Sequence, residues 1–200
     1  MKLIVGLGNP GVEYLRTRHN IGRRLIERVV ANNKTALSNK RSLKALVAQV
    51  TWAGETVHLA CPLSYMNLSG MSVKALRDGL GIRSLKDLLI VVDDFALPFG
   101  RLRLRGSGSG GGHNGLFSIE EALGSRDYPR LRMGIGLREQ LANEAPETGT
   151  WHRDFVLSDF TREEEDLMES FLKRGEEACR LWMSEPLATS MNRVNVRERP

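Results

Sequence analysis

At 200 residues the chain has room for one domain with a substantial core and too little length for two. With 41% hydrophobic and 26% charged residues and no long polar tract, its composition excludes a disordered chain; no apolar run approaches a membrane span, and no secretory h-region leads a small-residue cleavage site, so a cytoplasmic protein is expected. The formal net charge of +5, with a pI near 9.5, favours a polyanionic partner only weakly, since many basic proteins bind no nucleic acid.

Lys2–Leu7 reads as a buried first strand running into Gly6-Leu7-Gly8-Asn9-Pro10-Gly11. A helix is predicted from Ile21, with Leu25, Ile26, Val29 and Val30 along one face and Asn20 as its N-cap. Lys44–Trp52 and Thr56–Ala60 form a predicted hairpin turning at Ala53-Gly54-Glu55, and Ser69 is expected to cap a helix through Leu80. Leu88–Val92 is a continuous apolar strand ending at Asp93-Asp94. Leu102 and Leu104 alternate with Arg101, Arg103 and Arg105, the pattern of a half-exposed strand with a basic face.

Gly106–Gly112 follows, then His113-Asn114-Gly115 opening a helix to Leu123, and a strand over Arg130–Ile135. Thr161 and Glu164 make a capping box for a long helix burying Leu167, Met168, Phe171, Leu172, Cys179 and Trp182, and Pro186 opens a last short helix. The segment from Leu137 to Arg153 lacks periodicity and is expected to be a mobile loop. No repeat or linker divides the chain. Alternating strands and helices imply an α/β fold, a single domain over residues 1–200. Cys61 and Cys179, far apart and in apolar surroundings, are expected as core thiols rather than a disulfide or metal pair.

Gly6-x-Gly8-x-x-Gly11 matches a dinucleotide-binding fingerprint, but the context fails. The next helix starts about ten residues late, Pro10 lies inside the loop, and no acidic residue stands about twenty residues on to hold a ribose hydroxyl. A nicotinamide or flavin oxidoreductase is the poorer reading. As a mere tight turn, the motif would not need Asn9 at the strand's C-terminal end, where α/β sheets place their sites.

Polar residues instead gather at Asn9, at Thr17-Arg18-His19-Asn20, at Met66-Asn67-Leu68-Ser69-Gly70, at Asp93 and at His113-Asn114-Gly115. Of the four histidines, His58 and His152 have no neighbourhood suggesting chemistry, whereas His19 keeps company with site-like asparagines. A neutral imidazole can take a proton from water, a carboxylate can hold its tautomer, and uncharged amides can bind a substrate and a developing oxyanion. There is no Gly-x-Ser-x-Gly elbow and no metal-ligand spacing. Base-catalysed attack of water is the most economical chemistry.

Gly106–Gly112 admits two readings, a flexible linker or a loop whose backbone a large ligand, such as a phosphate, approaches. Arg103 and Arg105 on one strand, with Arg130 and Arg132 on another, could form a basic stripe. Each could equally be a solvated surface arginine.

Taken together, these motifs resemble the bacterial-type peptidyl-tRNA hydrolase family from about Lys2 to Trp182. The resemblance rests on Gly6-Leu7-Gly8-Asn9-Pro10-Gly11, Tyr14, Thr17-Arg18-His19-Asn20, Tyr65-Met66-Asn67-Leu68-Ser69-Gly70, Asp93-Asp94 before Leu97-Pro98, Gly111-Gly112-His113-Asn114-Gly115 and Arg130-Leu131-Arg132-Met133-Gly134-Ile135-Gly136. It implies a monomeric α/β globule with a twisted mixed sheet flanked by helices, without metal or cofactor, that cleaves the ester joining a peptide to the terminal ribose of tRNA. It further implies His19 as the catalytic base, Asp93 as the carboxylate that keeps it basic, and Asn9 as the residue distinguishing peptidyl-tRNA from unblocked aminoacyl-tRNA. Asn67 and Asn114 become substrate-binding amides, Tyr14 and Tyr65 contacts of the tRNA end, Met66 and His113 lining residues, and Arg103, Arg105 and Arg132 contacts of tRNA phosphate. The chain differs from the family pattern at Ala96, where an acidic residue is usual, at Ser158, often glycine, and over a longer Glu139–Trp151 segment. The competing function on the same fold is a non-catalytic RNA-binding or RNA-processing protein.

Overall fold

A computed structural model describes residues 1–136 and 151–196. The strands are β1 (Lys2–Gly6), β2 (Ser38–Lys40), β3 (Ala45–Trp52), β4 (Glu55–Pro62), β5 (Leu88–Pro98), β6 (Leu102–Arg105) and β7 (Arg130–Gly136). The helices are α1 (Ile21–Asn32), α2 (Ser69–Gly79), α3 (Asn114–Leu123), α4 (Trp151–Leu157), α5 (Arg162–Ser184) and α6 (Leu187–Val194). The seven strands form one mixed sheet in the order β2-β3-β4-β1-β5-β7-β6. β4, β1, β5 and β7 run parallel, while β2 and β6 are antiparallel edges.

Both faces of the parallel centre are covered, which is why its strands are nearly continuous apolar runs. Ile4, Leu59, Leu89, Val91, Leu131 and Met133 pack toward α1 and α5. Leu3, Val5, Ala60, Leu88, Ile90 and Val92 pack on the other face with Val73 and Leu76 of α2 and Leu116 and Ile119 of α3. The connection from β4 to β5 passes β1, so the C-terminal ends of β4, β1 and β5 open together at a crossing point of the topology. Open α/β sheets carry their clefts there.

Most predicted elements are present, with instructive differences at their ends. The hairpin turns on two residues, Ala53 and Gly54, both at positive φ (49° and 78°), and Glu55 already belongs to β4. Asn20 and Ser69 do not cap. Asn20 precedes α1 without a cap bond, and Ser69 is already inside α2, its hydroxyl donating to Met66 O at 2.8 Å. β5 continues past Asp93-Asp94 to Pro98, with a shift in its pairing to β7 between Asp94 and Pro98. The Thr161–Glu164 capping box forms as expected, but Leu167 is 46% exposed and does not join the buried face of α5. Residues 151–153, expected within a loop, open α4; the rest of that expected loop, 137–150, lies outside the described residues.

Cys61 and Cys179 are buried free thiols. Burial pushes both up, Cys179 to about 12, so neither is a nucleophile at neutral pH. The fingerprint glycine Gly6 has a packing cause. A Cβ there would lie 2.2 Å from Gly22 O, so its absence lets α1 lie directly on β1.

Candidate active site

A cleft of about 590 Å³ opens at the C-terminal ends of β1 and β5, lined by Asn9, His19, Met66, Asn67, Asp93, His113 and Asn114 among others. His19 lies on a short 3-10 turn, Arg18–Asn20, that leads into α1. Its Nδ1 stands 2.9 and 3.0 Å from the two oxygens of Asp93, and Nε2 of His113 stands 2.9 Å from Asp93 Oδ1. The tautomers follow from the partners. Nδ1 of His113 accepts from the backbone N–H groups of Gly115 and Leu116, capping α3, so its proton sits on Nε2 and points at Asp93. With Asp93 as carboxylate, Nδ1 of His19 also donates, so in the neutral ring Nε2 is the nitrogen left with a lone pair.

The electrostatics agree. Burial opposes charge on both His19 and Asp93, yet the ion pair outweighs it. Asp93 raises the His19 pKa above 6.5, and the two imidazoles hold the Asp93 carboxyl well below its ordinary value of 3.8. His19, Asp93 and His113 also fall within a metal-ligating distance of one another, 4.8 Å. With both rings presenting N–H groups to Asp93, however, neither turns a lone pair toward a shared centre.

Asn9 is locked from two sides. Its Oδ1 accepts from the Met66 N–H at 2.8 Å, while its own backbone N–H and C=O pair with the Asn20 side-chain amide at 2.8 and 3.0 Å. With Oδ1 occupied, the amide orientation is decided and Nδ2 is the donor offered to the cleft.

The family model for peptidyl-tRNA hydrolase matches residues 3–200. The chain belongs to the peptidyl-tRNA hydrolase family. It is 45% identical to the peptidyl-tRNA hydrolase of Chloroflexus aggregans over 195 residues, covering 98% of this chain and 99% of that one. It is 43% identical to that of Desulfitobacterium hafniense, covering 98% and 100%. The crystal structure of the Acinetobacter baumannii peptidyl-tRNA hydrolase superposes with a TM-score of 0.87 at 31% identity, covering 98% of this chain and 95% of that chain.

The other residues singled out by the family resemblance fall in distinct places. Asn67 and Asn114 line the cleft and are exposed, and Met66 lines it as a buried side chain. Tyr65 is half-exposed at the rim, its ring edge-on to Tyr14 at 6.4 Å. Arg103 and Arg105 are exposed on β6. Arg132 is largely engaged: it pairs with Asp94 at 3.2 Å and donates to Ser109 O and Gly110 O. Arg130 is not part of a solvated stripe, being only 1% exposed and bonded to backbone carbonyls. Of the two sequence differences that are described, Ala96 N–H donates to Asp94 and Ser158 Oγ accepts from Arg18; the 139–150 part of the longer segment is outside the described residues.

Three residues have contacts that the motifs did not reveal. Arg18, next to His19, is buried and makes a two-pronged pair with Glu164 at 2.8 and 2.7 Å, its guanidinium 4.5 and 5.0 Å from the ring centres of Phe155 and Phe160. Asn20 shapes the Asn9 backbone. His152, set aside in the sequence, lines the cleft with its ring 4.5 Å from that of Phe95. Arg18 and Asn20 stood in the Thr17-Arg18-His19-Asn20 motif, which named them without their partners; His152 carried no signal.

Proposed function

We propose that this protein hydrolyses the ester between the peptide and the 3′-terminal ribose of peptidyl-tRNA, with His19 as general base. The observation that carries the mechanism is the His19–Asp93 pair in a cleft lined with amides; in its neutral form His19 keeps a lone pair on Nε2. Nε2 takes a proton from water, whose oxygen attacks the ester carbonyl. Asp93 stabilises the resulting imidazolium. Amide donors from Asn9, Asn67 and Asn114 hold the substrate and the charge developing on the carbonyl oxygen. The tetrahedral intermediate collapses by expelling the ribose oxygen, which recovers the proton from His19, leaving a free peptide acid and a free tRNA hydroxyl.

Asn9 distinguishes a blocked from a free amino group, and Tyr14, Tyr65, Met66 and His113 shape the seat of the tRNA end. Arg103 and Arg105 of β6 and Arg132 of the neighbouring β7 meet tRNA phosphate. The enzyme acts as a cytoplasmic single-domain monomer without metal or cofactor, and no helix among the described residues is long and apolar enough to cross a membrane.

The test is release of tRNA from N-blocked aminoacyl-tRNA. His19→Ala is expected to lower the rate by about 10²–10⁴-fold. Equal rates would sink the mechanism, and no release by the wild type would favour the RNA-binding alternative.

A further inference from the structure

We propose that Arg130 is a positioning residue for the substrate-binding corner formed by His113 and Asn114, acting as a clamp on the Gly106–Gly112 loop. This rests on the hydrolase reading for the identity of the ligand, but its geometry is independent of it.

A guanidinium buried to 1% exposure is costly unless every donor is matched. Here the partners are mostly main chain. Nη1 donates to Gly108 O at 2.6 Å and Nη2 to Arg126 O at 2.8 Å, with longer bonds from Nε and Nη2 to Tyr128 O. The cation lies over the Tyr128 ring at 4.1 Å, and Glu120 faces it at 3.6 Å. Two residues along β7, Arg132 takes Ser109 O and Gly110 O, so three successive carbonyls of the loop end on arginine.

The loop needs that external hold. Gly108, Gly111 and Gly112 have φ values of 136°, 61° and 80°, and glycine backbone loses the most freedom when fixed in one shape. Gly110 O in turn accepts from the His113 N–H at 3.2 Å, passing the loop's position to the residue that meets Asp93. Glu120 lies on α3, the helix whose first residue is Asn114, so Arg130 grips the corner from the loop before it and the helix after it.

The decisive experiment uses Arg130→Lys, which keeps a cation opposite Glu120 but replaces a fork reaching several carbonyls by one ammonium. KM for N-blocked aminoacyl-tRNA is expected to rise about tenfold and kcat to fall with it, because Asn114 holds both substrate and developing charge, while the pH profile stays in place because the His19–Asp93 pair sits on other elements. In an Asn114→Ala background the same substitution is expected to leave KM unchanged, since its effect runs through Asn114. Glu120→Gln, a milder loosening of the same clamp, should show a smaller rise that likewise vanishes with Asn114→Ala, and serves if Arg130→Lys does not fold. An unchanged KM in these variants, or equal rises in both backgrounds, overturns the proposal. The same comparison read as Kd in a His19→Ala background does not depend on turnover. Failure of the hydrolase reading, seen as an inactive wild type, is thereby kept apart from failure of the clamp.

Discussion

The backbone N–H of Met66 donates to Oδ1 of Asn9 at 2.8 Å, and this one bond decides which end of the Asn9 amide the cleft presents. Asn9→Asp keeps the acceptor for Met66 but exchanges the free donor for a carboxylate oxygen. We expect kcat/KM to fall about 10²-fold, on the scale of losing one donor to a developing oxyanion. The preference for N-blocked over free aminoacyl-tRNA should narrow in the same assay. Full activity with unchanged preference would remove Asn9 from the site.

The His19–Asp93 pair sets the pH dependence. As the proposed general base His19 must be neutral, and Asp93 raises its pKa above 6.5, so activity should climb with pH through a value above 6.5. Asp93→Asn removes the charge that raises it. The acid limb of the rate profile should move to lower pH while kcat drops about 10²–10⁴-fold.

Stability is linked to the same groups. The raised His19 pKa contributes stability that is fully present below its unfolded value and lost as pH rises through the folded one. The depressed Asp93 pKa contributes stability present above 3.8 and lost as pH falls toward its folded value. Urea midpoints across pH for wild type and Asp93→Asn would reveal both; superimposable pH dependences would contradict the coupling.

Arg18 and Glu164 join the turn that carries His19 to the start of α5 by a two-pronged, largely buried pair. Arg18→Ala leaves Glu164 without its cation and removes a guanidinium packed over two phenylalanine rings. A loss of about 3–5 kcal/mol is expected from denaturant unfolding. A change below about 1 kcal/mol would place this pair with weak surface ion pairs.

At Gly6 the prediction separates packing from phosphate binding. Gly6→Ala drives a methyl group into Gly22 O and Ile26 of α1. It should destabilise by about 1–3 kcal/mol, as overpacking does, measured by the shift in the urea midpoint. No destabilisation would mean that the first turn needs glycine for some other reason.

Arg105, exposed on an edge strand, tests the nucleic-acid contact. Arg105→Gln should weaken tRNA binding and reduce the slope of log K against log[salt] by about 0.9, one phosphate's worth of released counterion. An unchanged slope would take Arg105 off the tRNA path.

Much of this molecule is readable along the chain. Leu88–Val92 announces a buried strand because both of its faces are covered, and Thr161 with Glu164 announces the start of α5 because a cap is satisfied within four residues. Asn20 shows the limit. As a residue type before a helix it reads as an N-cap, yet its amide is taken by Asn9, which the fold brings alongside. Arg130 shows it again: alternation in β7 places it on one face, but whether that face meets solvent or the Gly108 carbonyl depends on what packs there.

The α/β class, the polar loops and the candidacy of His19 are legible along the chain, because periodicity, caps and turn chemistry act over a few residues. The tertiary structure decided the rest of His19's standing. Asp93 is 74 positions away, and His113 a further 20 beyond it. They meet only because parallel β1 and β5 lie side by side and open at the same end. That geometry selects the partner, the tautomer and the free Nε2, and no local pattern encodes a strand order.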